Sequence, residues 1–318
     1  MKRVLLAGRM TPALEARLRE AYEVTSLADA ADPASLVAAH GARFDGLVTS
    51  AVYGASAELI AQLPNLKVIS SFGVGLDRLD LAAAQARGIV VGYTPDVLND
   101  CVADLAIALM LDVARRVSEA DRFVRRGAWA VPGQASFPLG RKVSGAKLGI
   151  VGFGRIGQTI AKRALGFEMD IRYHTRRPVA GAAWPHEPSL VELARWADYL
   201  IVITAGGAGT RHLVNAEVLD ALGPEGFLIN VARGSVIDEQ ALVQALADKR
   251  IAGAGLDVFE REPRVPEALF ALDNVVLLPH VASGTRETRQ AMADRVFDNL
   301  AAFFDGRPLP SSALQESP

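Results

Sequence analysis

Charged side chains follow apolar runs in the second half of the chain, in places where they could meet a ligand. Arg233 comes after Phe227–Val231 and before a glycine turn, in Asn230-Val-Ala-Arg233-Gly234. A permanently charged, planar guanidinium there could anchor a carboxylate and polarise a neighbouring carbonyl. The run Gly255-Leu-Asp257-Val-Phe-Glu260-Arg-Glu262-Pro263 ends a strand pattern among three carboxylates, with Glu260 and Glu262 both available. His280 closes Leu278-Pro279-His280, and it alone of five histidines directly follows a strongly apolar strand pattern. Each has a bland explanation by itself: a structural ion pair for the arginine, a hydrogen-bonded core ring for the histidine.

Upstream lies a more specific signal. The apolar run Leu148–Val151 enters Gly152-Phe-Gly154-Arg155-Ile156-Gly157, and a helical pattern, Gln158–Leu165, follows. Strand, glycine turn and helix in that order form the dinucleotide-binding fingerprint: a tight turn at Gly152, close backbone approach to a diphosphate at Gly154, and helix–strand packing at Gly157. The helix start would present free N–H groups to the phosphates. An NAD site normally adds an acidic residue about 20 residues later for the ribose 2′-OH. Here that place holds Tyr173-His174-Thr175-Arg176-Arg177. A guanidinium fork binds a 2′-phosphate that a carboxylate would repel, so NADP(H) is favoured, with NAD(H) as the second reading.

These residues need a frame. Short apolar runs alternate with helical patterns throughout. The first half has strands at Arg3–Ala7, Tyr22–Ser26, Gly46–Thr49, Lys67–Ser71 and Ile89–Val91, and helices at Pro12–Glu20, Pro33–Ala39, Ala57–Leu63 and Leu81–Arg87. A long helical pattern, Asp100–Arg126, precedes Gly127 and an irregular segment, Trp129–Arg141, whose aromatic and apolar content fits an arm packed on a partner. The second half has strands at Leu148–Val151, Asp170–Tyr173, Tyr199–Ile203, Phe227–Val231, Ala254–Phe259 and Val275–Leu278, with helices at Ser189–Trp196, Asn215–Leu222, Asp238–Ala247 and Arg286–Phe304. The βα spacing predicts an α/β protein with two doubly wound parallel sheets.

At 318 residues the chain suggests about two domains by the prior of ~150 residues each. A formal net charge of −2 gives no global attraction for nucleic acid or anionic lipid. Cys101 is the only cysteine, which excludes an intrachain disulfide and suits the reducing cytoplasm. It opens a largely apolar helix and is expected to be an inert, buried thiol. The N-terminal apolar run is too short for a secretory signal, and Ala103–Met110 falls far below the ~20 residues that span a bilayer. A soluble protein with no membrane or nucleic-acid partner is expected.

Taken together, the motifs resemble the D-isomer-specific 2-hydroxyacid dehydrogenases. The resemblance covers nearly the whole chain: Ser71-Phe-Gly-Val-Gly-Leu-Asp77, Thr94-Pro-Asp-Val, Val102-Ala-Asp-Leu, the glycine turn, Val231-Ala-Arg-Gly234, Asp257-Val-Phe-Glu-Arg-Glu-Pro263 and Pro279-His280. Ser70-Ser-Phe-Gly-Val-Gly75, Tyr173-His-Thr-Arg-Arg177 and His280-Val-Ala-Ser-Gly-Thr-Arg286 are closest to the NADP-dependent glyoxylate/hydroxypyruvate reductases, a group that includes hydroxyphenylpyruvate reductase.

That resemblance implies roles. Arg233 would hold the carboxylate and carbonyl oxygen of a small 2-oxo acid, beside backbone N–H groups near Val74 and Gly75. His280 would donate a proton to that oxygen while NADPH delivers hydride. Glu262 would orient His280 and favour its charged form. Asp257 would hydrogen-bond the nicotinamide amide, with Thr204, Val231 and Ala232 along the cofactor, and Val52, Tyr53 and Gly54 would line the side-chain pocket. It also implies a Rossmann-type cofactor domain, residues 98–285, inserted into a flavodoxin-like substrate domain made of 1–97 and 286–318. Hinges would lie near Pro95–Asn99 and Ser283–Thr285. A homodimer is implied, with Trp129–Arg141 as an exchanged arm. The chain departs from the family at Thr204-Ala-Gly-Gly-Ala-Gly209, where Pro-Leu-Thr is usual and a more flexible loop is expected, and at Cys101, where Thr is common. A nucleotide-binding corepressor of the C-terminal-binding-protein type, or a phosphite or formate dehydrogenase, would share the scaffold.

Overall fold

The computed structural model describes residues 1–131 and 136–313. The chain divides into two compact units: residues 1–98 together with the chain from Thr285 onward, and Asn99–Gly284. The first unit opens with β1 (Arg3–Leu6), α1 (Pro12–Ala21), β2 (Glu23–Ser26), α2 (Pro33–His40), β3 (Gly46–Ser50), α3 (Ala57–Ala61), β4 (Val68–Phe72), α4 (Leu81–Ala86) and β5 (Val90–Gly92). Its strands are all parallel, in the order β2-β1-β3-β4-β5. That order is the flavodoxin-like one. Helices cover both faces of such a sheet, so its strands read as apolar runs rather than alternating ones. Val4, Leu5 and Leu6 are fully buried, as are Leu47, Val48, Val68 and Ile69. Each such side chain contributes roughly 1.5–3 kcal/mol on leaving water. The helices start where side-chain caps and prolines direct. Thr11 accepts from Leu14 N–H, Asp32 accepts from Ala34 and Ser35 N–H, and Pro12 and Pro33 open the first turns.

The second unit begins with α5 (Asn99–Arg115) and α6 (Val117–Arg125). One continuous helix was expected from Asp100 to Arg126. The break is at Arg116, which adopts a left-handed φ of 57°. The Asp112 carboxylate reaches forward, accepting from Ser118 N–H at 2.8 Å and from its hydroxyl at 2.5 Å, and so caps the new helix from the old one. Of the expected arm, Pro132–Ala135 lie outside the described residues. Trp129, which opens the expected arm, is 78% exposed.

There follow β6 (Lys147–Val151), α7 (Arg155–Ala164), β7 (Asp170–His174), α8 (Leu190–Trp196), β8 (Tyr199–Val202), α9 (Ala216–Leu222), β9 (Phe227–Asn230), α10 (Glu239–Ala247), β10 (Gly253–Leu256) and β11 (Val275–Leu277). The sheet order is β7-β6-β8-β9-β10-β11, again all parallel. Beyond β7 the chain adds one parallel bridge, Tyr173 to His186, in place of a full edge strand. Counting that bridge, the order is the Rossmann pattern with one extra strand. The direction of winding switches between β6 and β8, where ligands bind in such sheets.

The chain then returns to the first unit as α11 (Arg286–Phe304), capped by the Thr285 hydroxyl. It packs on β4, where Ser70 Oγ donates to Val296 O at 3.0 Å. Buried Asn299 donates to Tyr93 O and accepts from Ser311 N–H. Among the described residues, no helix is long and apolar enough to cross a membrane, and no cluster of three or more His, Cys, Asp or Glu could hold a metal ion. Cys101 is half-buried rather than buried.

Candidate active site

The glycine turn lies at the switch between β6 and β8. Gly152 has φ +94°, and a Cβ there would lie 2.6 Å from Thr204 N, so only glycine fits. A Cβ on Gly157 would collide with Gly152 O, so this residue lets α7 sit against the turn. Gly154 differs: a Cβ would meet nothing within 4 Å, and its backbone is exposed. It is also the N-cap of α7 and supplies no side-chain bond. The helix therefore starts at Arg155, three residues before the expected Gln158, and its first turn spans Arg155, Ile156 and Gly157. An open backbone face joined to an uncapped helix N-terminus fits a dinucleotide's diphosphate.

The turn is tied to β7, since Gly152 N–H donates to His174 O at 2.9 Å. His174 Nδ1 donates to Glu187 O at 2.9 Å, and His186 Nε2 donates to Thr175 O at 2.8 Å. Thr175 Oγ1 donates to Arg177 O at 2.6 Å, closing the loop on itself. Arg176 and Arg177 are exposed, and neither pairs with a carboxylate among the described residues. The run His174–Arg177 at the end of β7 thus carries two exposed guanidiniums and no carboxylate of its own, which fits a 2′-phosphate, while Glu187 alongside turns its carboxylate to Ser189 N–H at 3.1 Å. Across the switch, the loop from Thr204 forms a short turn over Ala208–Thr210, with Thr210 Oγ1 donating to Ala205 O at 2.7 Å.

The ends of β9, β10 and β11 build a second cluster. After β9, buried Asn230 holds the turn from both sides: its Oδ1 accepts from Ala232 N–H at 3.0 Å and its Nδ2 donates to Arg233 O at 3.1 Å. Val231 and Ala232 are buried, and Arg233 is half-buried with Nη1 donating to Ala232 O at 2.7 Å. A Cβ on Gly234 would run into the backbone at Phe259, so the Arg233 turn presses directly on the loop that carries Glu262.

In that loop the carboxylates separate. Glu260 pairs with Arg211 at 2.8 Å and His212 at 3.4 Å. Glu262 instead accepts from Phe259 N–H at 3.0 Å and from His280 Nδ1 at 2.8 Å. Burial pushes the Glu262 carboxyl up, but the bonded His280, the Phe259 N–H and the Arg233 guanidinium outweigh it and hold it below the ordinary value. With Nδ1 committed to Glu262, Nε2 is the ring atom left to meet a ligand.

His280 itself adopts φ 55°, an unusual backbone for a non-glycine residue. Asp257 holds it there. The Asp257 carbonyl accepts from His280 N–H at 2.9 Å, and its two carboxylate oxygens accept from Val281 N–H at 2.7 Å and Ala282 N–H at 2.8 Å. Asp257 is 0% exposed. Burial raises its carboxyl above the usual range, with the two N–H groups and His280 opposing that shift.

The first unit carries the remaining expected residues. Val52 and Tyr53 are about half exposed, at 51% and 50%, in a loop after β3. Ser50 Oγ accepts from both their N–H groups, and Arg78 Nη1 donates to Val52 O at 2.7 Å. Gly54 follows, its N–H donating to Ser50 O at 2.8 Å. Val74 and Gly75 are half-buried in the loop after β4, which Thr94 braces by accepting from Gly73 N–H at 3.0 Å.

A family model, D-isomer specific 2-hydroxyacid dehydrogenase, NAD binding domain, matches residues 107–282. The chain belongs to this family. The dehydrogenase is 47% identical over 306 residues to glyoxylate/hydroxypyruvate reductase A HPR2 of Arabidopsis thaliana, covering 96% of this chain and 97% of that one. It is 54% identical over 256 residues to hydroxyphenylpyruvate reductase of Plectranthus scutellarioides, covering 80% and 81%. Among solved structures, the NADPH-dependent glyoxylate/hydroxypyruvate reductase of Sinorhizobium meliloti, in complex with NADP and malonate, superposes with a TM-score of 0.92 at 46% identity, over 98% of this chain and 97% of that one.

Within the dehydrogenase's second unit, the structure brings Arg233, Glu262 and His280 together and leaves Glu260 out. Three residues escaped the sequence reading. Asn230 carried a signal, a buried-type amide directly before Val-Ala-Arg-Gly. His186 and Glu187 carried none, because they reach the site through a single bridge rather than a strand. Asp257 was expected at the nicotinamide amide. Its carboxylate oxygens already serve Val281 and Ala282, although each oxygen has capacity for a second donor.

Proposed function

We propose that this dehydrogenase reduces small 2-oxo acids, among them glyoxylate, hydroxypyruvate and arylpyruvates, to D-2-hydroxy acids with NADPH. The observation that carries the reading is the His280 Nδ1–Glu262 bond of 2.8 Å, next to Arg233, at the strand ends of a dinucleotide-type sheet. A bound dihydronicotinamide supplies the hydride. Arg233 binds the substrate carboxylate and polarises its carbonyl, and His280 Nε2 gives a proton to the oxygen that becomes the hydroxyl. Glu262 keeps the ring oriented through its bond to Nδ1. Gly152, Gly154, Arg155, Ile156 and Gly157 hold the diphosphate. His174, Thr175, Arg176 and Arg177 hold the 2′-phosphate, and Thr204, Val231, Ala232 and Asp257 lie along the rest of the cofactor. From the first unit, Val52, Tyr53 and Gly54 are assigned to the substrate's side chain, and Val74 and Gly75 N–H groups to its carboxylate.

The names of the relatives and of the solved structure support the substrate class and the choice of NADP(H). The test is oxidation of NADPH, beside NADH, with glyoxylate, hydroxypyruvate, phenylpyruvate and 4-hydroxyphenylpyruvate. Turnover with none of the four sinks the reading. Exposed Val117, Val124 and Trp129 support a homodimer built on α6 and the segment after it. A monomer mass in light scattering at assay concentration would refute that assembly. The single cysteine suits the cytoplasm as the working compartment.

A further inference from the structure

The end of β1 and the loop after β3 meet at the C-terminal edge of the first sheet, where β1 and β3 are neighbours. At that meeting Tyr53 lays the tip of its ring on Gly8. A methyl built on Gly8 would fall deep inside contact distance of Cζ, Cε1 and Cε2 together, all from the one ring. Carbon–carbon contacts sit at about 3.5–4.0 Å, so any side chain at position 8 would push the ring tip outward by roughly an ångström. Gly8 does not need its freedom of φ, since it lies outside the left-handed region that glycine alone favours. It is glycine for space.

The backbone under Tyr53 cannot easily give. Ser50 Oγ accepts from the N–H groups of Val52 and Tyr53, Gly54 N–H donates to Ser50 O, and Arg78 holds Val52 O. The ring is the soft part. One face rests on Gly8 and the side chain is half exposed, so displacement moves it toward the open side. Its hydroxyl makes no hydrogen bond among the described residues, so the contact with Gly8, rather than a polar anchor, limits how far back the ring lies.

We propose that Gly8 is a positioning residue for substrate selection: by letting the Tyr53 ring lie back on the strand end, it sets how large a 2-oxo acid side chain the enzyme accepts. This rests on the reductase reading above and on the assignment of Val52–Gly54 to the side-chain pocket. Glyoxylate has no side chain and is indifferent to where the ring lies. Phenylpyruvate needs the room, and its planar ring suits the exposed face of Tyr53.

The experiment is steady-state kinetics of Gly8→Ala, Tyr53→Ala and the double variant, with glyoxylate and phenylpyruvate and saturating NADPH. Gly8→Ala is expected to raise KM for phenylpyruvate tenfold or more while kcat/KM for glyoxylate stays within threefold. In the Tyr53→Ala background the same Gly8→Ala change should alter phenylpyruvate KM less than twofold, because the ring through which it acts is gone. Equal losses for both acids, or the same selective loss without Tyr53, overturn the proposal. So does a wild-type enzyme that reduces glyoxylate but neither turns over phenylpyruvate nor is competitively inhibited by it. If Gly8→Ala yields no soluble protein, the readout is the phenylpyruvate-to-glyoxylate ratio of kcat/KM in Tyr53→Ala; a ratio equal to wild type overturns the proposal. A wild-type enzyme inactive with every 2-oxo acid overturns the reductase reading itself, and this inference with it.

Discussion

At the end of β11, His280 and Glu262 already hold each other at 2.8 Å, and Asp257 fixes the backbone that carries the ring. At the end of β7, Arg176 and Arg177 stand exposed with no carboxylate paired to either among the described residues. Both regions belong to one sheet and both follow apolar parallel strands. The difference is in who supplies the partners. The cluster of His280, Glu262 and Asp257 is completed by the protein's own groups, so its geometry exists before a ligand arrives. The basic loop keeps Arg176 and Arg177 exposed, with no ion pair to either among the described residues. One region has its partners supplied by the fold, and the other presents charge that the fold leaves exposed.

Substitutions can break that contrast. His280→Ala removes the proposed proton donor and should lower kcat by ~10² or more with glyoxylate. An unchanged kcat would strip His280 of the role. Asp257→Asn swaps an acceptor for an amide facing a backbone N–H, an unsatisfied buried arrangement that costs about 1–3 kcal/mol. It should lower the thermal midpoint and reduce kcat roughly tenfold as the His280 loop loosens. A higher KM for NADPH with kcat intact would instead tie Asp257 to the nicotinamide amide. At the basic loop, Arg176→Ala should raise KM for NADPH about tenfold, the equivalent of ~1.4 kcal/mol, while NADH is spared. Equal losses with both cofactors would show that the arginine does not read the 2′-phosphate.

The smallest effect concerns pH. The Glu262 carboxyl lies below its ordinary 4.5, so it favours the charged form more when folded than when unfolded. Its contribution is fully present above pH ~4.5 and is lost as pH falls through the depressed folded value. Thermal unfolding of wild type and Glu262→Gln should therefore differ most near neutrality, with the gap closing in acid. A gap that widens on acidification would contradict the assigned direction.

Much of this was legible from residue order. Parallel strands buried on both faces are continuous apolar runs, and the two parallel sheets follow from their βα spacing. The glycine turn was readable because steric need fixes residue type at Gly152 and Gly157. Side-chain reach was not readable. Periodicity sees one helix from Asp100 to Arg126, because nothing in a 3.6-residue repeat reports that Asp112 will cap Ser118. The start of α7 was set too late because its N-cap is a bare glycine, Gly154, without the usual Ser, Thr or Asp signal. By residue type alone Glu260 and Glu262 were interchangeable, and only the resemblance singled out Glu262; the separation itself comes from Arg211 and His212, about fifty residues upstream, which pair with Glu260.

The returning helix has a consequence for how the chain is made. Ser70 on β4 finds its partner at Val296, 226 residues later. The second unit is one unbroken stretch, Asn99–Gly284, and can close on itself while synthesis continues. The first unit is begun earliest and finished last. Its sheet must wait, with the β4 face that α11 will cover still open to solvent, until α11 has left the ribosome.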